Sequence, residues 1–363
     1  MCIGFGAYSR FSREPSHFPF EHVKQQFLRR DVVFANLECT HSAAGLRKQS
    51  YASAQLRGAP RHISALSAAR INLINVANNH SYQHGARAFR ETVDLLQQNG
   101  VAVCGLSDDT GSAARLTSLQ VNGMILGVLA YSLRPRQYFT QKPLYAEGNR
   151  ERILADVRKA TQNADVLVVS LHWGAEFIQK PALDEIELAR EIADSGAHLV
   201  VGHHPHVLRG TERRGNGFIA YSMGNFVADM PWHDSLRTTA ILHCDLSTEG
   251  ATNIAFQPCF INDDYQPIPL DGLAADKILA RLDNMSLEIE RTTTQICSGE
   301  SLKYVQQAAR TERRISFRAY WFFALNAGRY PQGMVAQKLI TFFKNRLREV
   351  AALIGLRRDS TQI

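Results

Sequence analysis

The chain has 363 residues, 45% of them hydrophobic and 21% charged, which allows a sizeable core and excludes a disordered or fibrous protein. No apolar run approaches the roughly 20 residues of a spanning helix, and Met1–Arg13 lacks the basic start and apolar block of a signal peptide. The net charge of +7 is uneven: 303–358 carries twelve Lys/Arg against Glu312 and Glu349, which gives +10 there and about −3 elsewhere, so the basic character belongs to the tail. Cys2, Cys39, Cys104, Cys244, Cys259 and Cys297 are scattered without close pairs and read as reduced thiols rather than a zinc or redox motif.

In chain order, Pro15 to Phe20 is a loop leading into a short helix, Glu21 to Arg30. Val32 to Ala35 is a strand that ends at Asn36-Leu37-Glu38. Pro60 to Ala69 opens as a helix with proline in its first turn. Ile71 to Ala77 is the next strand and ends in Asn78-Asn79-His80. Gly85 to Gln98 is amphipathic, with Phe89, Val93 and Leu96 at helical spacing and Asn99-Gly100 as the stop. After the short strand Val101 to Val103, Leu116–Val121 and Ile125–Tyr131 form a hairpin about Asn122-Gly123. Glu151 to Ala160 is helical, and the uniform apolarity of Asp165 to Leu171 predicts a strand buried on both faces, ending in His172-Trp173-Gly174. The helix Ala182 to Asp194 feeds a strand, Ala197 to Val201, which runs into Gly202-His203-His204-Pro205-His206. Gly217 to Met223 is a strand ending in Gly224-Asn225-Phe226. Thr238–Leu246 and Asn253–Ile261 are strands joined at Glu249-Gly250, and from Asp271 the period becomes helical. This order predicts an α/β fold of two sheets with helices outside. The body covers 1–270 and a basic helical extension covers 271–363.

Five of these strands end in groups of the metal-ligand and proton-transfer kind. In an α/β sheet, ligands gather beyond the carboxyl ends of the strands, so the pattern predicts one shared face. His204 and His206 are two apart, which in extended backbone points both side chains the same way. Carboxylate, amide oxygen and imidazole together suit Mn²⁺, Zn²⁺ or Fe²⁺. Such a site supports hydrolysis, with a histidine outside the ligand set to protonate the leaving group. For single residues the bland readings are that Asn78 caps its turn, Asn225 holds a tight turn and Trp173 is core.

The segments Asn36-Leu37-Glu38, Asn78-Asn79-His80 with Gly85, His172-Trp173-Gly174 with Glu176, Gly202 to Val207 and Tyr221 to Phe226 resemble, in order, the motifs of the capsule-synthesis CapA family. That family belongs to poly-γ-glutamate production and looks like a branch of the calcineurin-like metallophosphoesterases. The resemblance covers roughly 18–262 and implies a four-layer α/β/β/α sandwich with a dinuclear metal centre at one edge. It assigns metal binding to Glu38, Asn79, His172, His204 and His206, and proton donation to His80. It places Asn78, Glu176, His203 and Asn225 behind the ligands or facing the substrate.

The chain departs from that pattern in three places. The family opens with a strand ending in Gly-Asp, which Met1–Arg13 does not match; the expectation is a sequence that starts just after it, with natural loss of the ligand as the alternative. Gln83 stands where Asp is more usual, and Arg209 where Gln is common. In the tail, Arg318–Leu325 and Val335–Ile354 are apolar on one side and basic on the other, which suits packing on the body, a partner protein or an anionic membrane surface. No groove-reading fold accompanies the charge, so nucleic acid is not expected. The functional expectation is a metal-dependent hydrolase of a phosphoester or polymer bond in anionic capsule material. The competing expectation is a non-catalytic assembly or export component that binds such a polymer. The expected location is the cytoplasm or the membrane periphery.

Overall fold

The computed structural model describes residues 7, 10–46, 56–108, 113–292, 298–330 and a few positions between 332 and 340. In chain order the strands are β1 (Phe34–Asn36), β2 (Thr40–His41), β3 (Arg57–Gly58), β4 (Leu73–Asn75), β5 (Ala102–Cys104), β6 (Thr117–Val121) and β7 (Met124–Ser132). They continue as β8 (Val166–His172), β9 (Leu199–His203), β10 (Thr211–Arg214), β11 (Gly217–Ala220), β12 (Thr238–Ser247), β13 (Gly250–Ile261) and β14 (Pro267–Pro269). The longer helices are α1 (Gly85–Gln98), α2 (Arg150–Ala160), α3 (Leu183–Asp194), α4 (Gly272–Glu290) and α5 (Ser298–Leu325).

Strand β8 is buried along its whole length, as its uniform apolarity requires, and the larger sheet forms around it in the order β10-β11-β9-β8-β7-β6. Alternation sends Leu167, Val169 and Val200 to one face, where they meet Ile153 and Val157 of α2 and Ile186 and Ile192 of α3. Val166, Val168, Leu199 and Val201 point to the other face and meet Leu73, Leu242 and Phe256 of a second layer. That layer holds two three-stranded sheets, β1-β4-β5 and β12-β13-β14. Its outer surface is covered by Phe89, Val93 and Leu96 of α1 together with Leu66, Phe20 and Phe27. The result is the expected α/β/β/α sandwich. Strand β1 runs parallel to β4, and β8, β9 and β11 run parallel to one another, so their carboxyl ends share an edge within each sheet.

Between β1, which ends one small sheet, and β12, which ends the other, lies an apolar slot of about 430 Å³. Its floor is the inner face of the large sheet, including Val128, Val168 and Val201, and Phe27 and Phe226 stand above it.

Several elements differ from the sequence reading. The helix expected at Glu21–Arg30 is only Lys24–Phe27, preceded by a 3-10 turn at Phe18–Phe20. Leu28 is extended and Arg29 is left-handed (φ 63°), which stops it. The helix at Pro60 starts as a 3-10 turn, Pro60–Ile63. β11 stops at Ala220 because the chain then turns, bridging Met223 to Leu208. Strands β2, β3, β10 and β14 have four residues or fewer, too short to show a period. The described part of the extension packs on the body, one of the placements its amphipathic pattern suits. Ser286 Oγ of α4 accepts from the Thr211 N–H at 2.8 Å, Ile289 enters the helix layer, and Ile315 of α5 packs on Val207 and Leu236. Phe323 is buried while Phe317, Trp321 and Leu325 are exposed. The second tail helix read over Val335–Ile354 and the opening Met1–Gly6 lie largely outside the described residues. No helix among the described residues is long and apolar enough to cross a membrane.

His62 is buried, and desolvation, with help from His41 and Arg61, lowers its pKa to about 4. The unfolded chain titrates this group near 6.5, so between about pH 6.5 and about pH 4 the unfolded state holds more protons and stability falls as the pH is lowered. Thermal melts across that window will show the decline, and His62→Gln will remove up to about 3 kcal/mol of it.

Candidate metal centre

Each strand named above delivers its polar group to one edge of the sandwich. The arm after β1 brings in Glu38, which is buried. Glu38 Oε1 lies 3.5 Å from His172 Nε2, at the end of β8, and 3.9 Å from His206 Nε2. Asn79, after β4, places its Oδ1 2.9 Å from the same His172 nitrogen. The His172 and His204 rings are 4.8 Å apart, and those of His204 and His206 5.8 Å apart. Glu176 Oε1 is 3.9 Å from His204 Nε2. Two groups therefore overlap at His204: Glu38, His172 and His204 form one, and Glu176, His204 and His206 the other, each with ligand atoms within 4.8 Å of one another.

The histidine loop is bent, not extended. β9 ends at His203, and His204 and His206 then take positive φ angles of 98° and 61°. Both rings still reach the cluster, but through left-handed turns on either side of Pro205, and the surrounding packing must offset that strain. The loop is clamped from below. The Trp173 indole N–H donates to the Tyr221 carbonyl at 3.1 Å, directly against Gly202, where any Cβ would collide with both. Trp173 is fully buried against Tyr221 and belongs to the core. Arg209 is buried too, donating to Glu185 at 2.7 Å and to the carbonyls of Ile178 and Ala175, so it fixes the loop that carries Glu176.

Burial sets the electrostatics. Desolvation holds His172 and His204 well below the usual imidazole range, so both rings are neutral and offer lone pairs at neutral pH. Burial pushes Glu38 up, but His206 and His172 outweigh it and bring the carboxyl down to about 2, so it is ionised. Glu38 Oε1, His172 Nδ1 and both His204 ring nitrogens are buried without a hydrogen-bond partner among the described residues. Desolvated lone pairs of this kind are costly unless something electropositive meets them. The donor set fits a divalent cation held by oxygen and imidazole nitrogen.

The remaining predicted residues have distinct placements. His206 Nδ1 donates to Asn225 Oδ1 at 2.9 Å, and Asn225 is anchored through the Leu236 carbonyl, so Asn225 aims the other His206 nitrogen at the cluster. Asn78 binds the Leu37 carbonyl and accepts from the N–H groups of His80 and Ser81, which caps the turn and ties it to the Glu38 arm. His80 is half-buried, donates from Nδ1 to Gln83 Oε1 at 3.1 Å and stacks on Tyr138. His203 is not brought to the cluster. As the last residue of β9 it faces the opposite way, with its ring on Phe34 beside the slot. Sequence reasoning missed the loop after β7. There Gln137 accepts from Asn79, Tyr138 covers His80, and Arg134 donates to the Gly174 carbonyl at 2.7 Å. Its sequence, Leu133-Arg134-Pro135-Arg136-Gln137-Tyr138, has no period and no ligand-type residue to reveal it.

Residues 3–230 match the family described as Bacterial capsule synthesis protein PGA_cap. The chain belongs to this family. It is 28% identical over 294 residues to the PGA biosynthesis protein CapA of Bacillus subtilis, covering 78% of this chain and 77% of that protein. It is also 28% identical over 277 residues to the capsule biosynthesis protein CapA of Bacillus anthracis, covering 73% of this chain and 66% of that protein. Among solved structures, a hypothetical protein from Thermus thermophilus is similar with a TM-score of 0.44 at 15% identity, covering 67% of this chain and 93% of that one.

Within this family member, Asn225→Ala will free His206 and weaken any divalent-cation binding by about 10–100-fold, read by calorimetric titration, while His204→Ala, common to both groups, will abolish it. Arg209→Met will leave Glu185 buried and unpaired and cost about 3–5 kcal/mol in denaturant unfolding.

Proposed function

We propose that this protein is a metal-dependent hydrolase that cleaves a phosphoester or polymer bond in anionic, poly-γ-glutamate-type capsule material. The observation that carries the reading is the convergence of buried Glu38, Asn79, His172, His204 and His206, with atoms of Glu38, His172 and His204 that have no hydrogen-bond partner among the described residues. Glu38, His172 and His204 would hold one divalent ion and Glu176, His204 and His206 a second, with Asn79 beside the first. The donor types suit Mn²⁺, Zn²⁺ or Fe²⁺. When bound, such ions supply Lewis-acid polarisation of the scissile group and make water a better nucleophile.

The chain's own residues perform the rest. Arg134 is tied to the Gly174 carbonyl and its charge reaches His204, so a fixed cation stands at the rim to receive an anionic group. His80 is half-buried at the mouth, and its Nδ1–H is committed to Gln83, so Nε2 of the imidazolium would give its proton to a departing oxygen and leave the ring neutral. Tyr138 lies over the His80 ring and limits water there. Gln83 is a neutral orienter. It fixes the ring's orientation and tautomer.

A second reading has one observation in its favour. Among the five buried ligand candidates only Glu38 carries negative charge, and Glu176 is partly exposed, so little charge balances two ions. A site of that kind would also serve a non-catalytic component that binds an anionic polymer.

The deciding experiment is hydrolysis of bis-p-nitrophenyl phosphate and of poly-γ-glutamate by the Mn²⁺-loaded protein. His80→Ala will lower kcat by about 10²–10⁴-fold with metal content unchanged. Polymer binding that persists after chelation, with no turnover in any form, would favour the second reading.

A further inference from the structure

Helix α5 presents two different faces. Ile315 is buried against Val207 and Leu236 with Phe177 beside it, and Phe323 is buried against Tyr330 and Trp232. Val207 follows His206, and the Phe177 ring lies 5.9 Å from the His206 ring, so this inner face rests on the loop that carries two of the candidate ligands. At 3.6 residues per turn, Phe317, Trp321 and Leu325 form a stripe about 80° wide on the opposite side of the helix. They are 50%, 61% and 70% exposed.

The same side carries the basic residues of this helix. Lys303, Arg310, Arg313, Arg314 and Arg318 are all exposed and lie on the stripe or within about 40° of it. Arg281 of α4 adds to the patch, since its charge reaches His233 together with those of Arg314 and Arg318. The one acid between 303 and 325, Glu312, lies nearer the inner side, where its charge meets those of Glu176 and Arg134 at the rim of the candidate metal centre. The outer face is therefore cationic with large apolar side chains along its middle.

We propose that this outer face is a docking surface for an anionic lipid bilayer, and that docking sets the edge bearing the histidine loop against the headgroups. Charge and apolarity together choose the occupant. A second copy of this chain would bring the same cations against the first set, which opposes self-association here. A soluble anionic polymer would neutralise the cations but leave two aromatic rings and Leu325 in water. A bilayer interface takes both kinds of group. The rings and Leu325 enter the boundary between headgroups and acyl chains, while the arginine stems lie along it and keep their guanidinium groups among the phosphates. A helix with its side chains is about 10–12 Å across, so the docked helix holds the histidine loop roughly that far from the bilayer. The centre then faces bonds presented at a membrane, and this placement stands whether or not the centre is hydrolytic.

The test is sedimentation of the full chain with phosphatidylcholine vesicles that contain or lack phosphatidylglycerol, together with tryptophan emission. Trp321 is the most exposed of the three tryptophans, so it reports on this face. The expected result is binding to the anionic vesicles alone, weakened by salt, with emission shifted to the blue and quenched by brominated acyl chains. Trp321→Phe will remove most of the shift while binding persists. Arg310→Glu with Arg314→Glu will lower vesicle affinity by at least about tenfold. Absence of binding, equal binding to neutral vesicles, or emission that brominated chains do not quench would overturn the proposal. Retention on poly-γ-glutamate with none on vesicles would also overturn it and give the face to a soluble polymer. Should the double variant fail to fold, quenching of the unaltered protein still decides.

Discussion

The structure depends on one constraint: a carboxylate and several imidazoles are held out of water at the edge of two sheets. Glu38 and His172 are almost wholly buried, and their contact at 3.5 Å is between an anion and a neutral ring. Neither group gains much from such a contact alone. Their burial is made possible by the apolar mass behind them, Val169, Val200, Trp173 and Tyr221, which belongs to one continuous core. The centre is thus a polar cap on a hydrophobic sandwich, and its chemistry follows from the lack of competing water.

Holding that cap in place takes specific supports. Asn78, Asn225 and Arg209 each bridge two segments that are distant in sequence: the Leu37 arm to the turn at His80, the histidine loop to the short helix that holds Leu236, and the Glu176 loop to α3. None of them belongs to the overlapping ligand groups. Their geometry makes them positioning residues, and each satisfies buried main-chain groups while it does so.

Much of this was legible in the sequence. The parallel strands announced themselves as apolar runs, and the polar residues that ended them pointed to one edge, so two sheets with helices outside and a shared polar edge followed from pattern, while the family resemblance singled out Glu38, Asn79, His172, His204 and His206. What the pattern could not carry were features set by non-local contact. His203 sits in the same motif as His204, yet strand alternation turns it to the inter-sheet slot. Arg209 looked like a departure from the family, but only the fold reveals the buried Glu185 that it pairs with. Gln137 and Tyr138 lie in a loop whose composition has no period at all, and they gain meaning only through Asn79 and His80. The extension's attachment through Ser286 and Ile315 was hidden for the same reason, since amphipathicity shows that a face is buried and not against what.

The backbone of the histidine loop has a consequence for ion choice. His204 and His206 take left-handed conformations beside Gly202, Pro205 and the Trp173–Tyr221 clamp. A cage shaped in advance by its own main chain has little freedom to contract or expand around its guest. In the proposed metal site, selection among ions would then rest on radius and preferred coordination angles. Strain stored in two residues of one loop is in this sense a sieve, and relaxing that loop would broaden the range of ions accepted before it weakened the binding of any one of them.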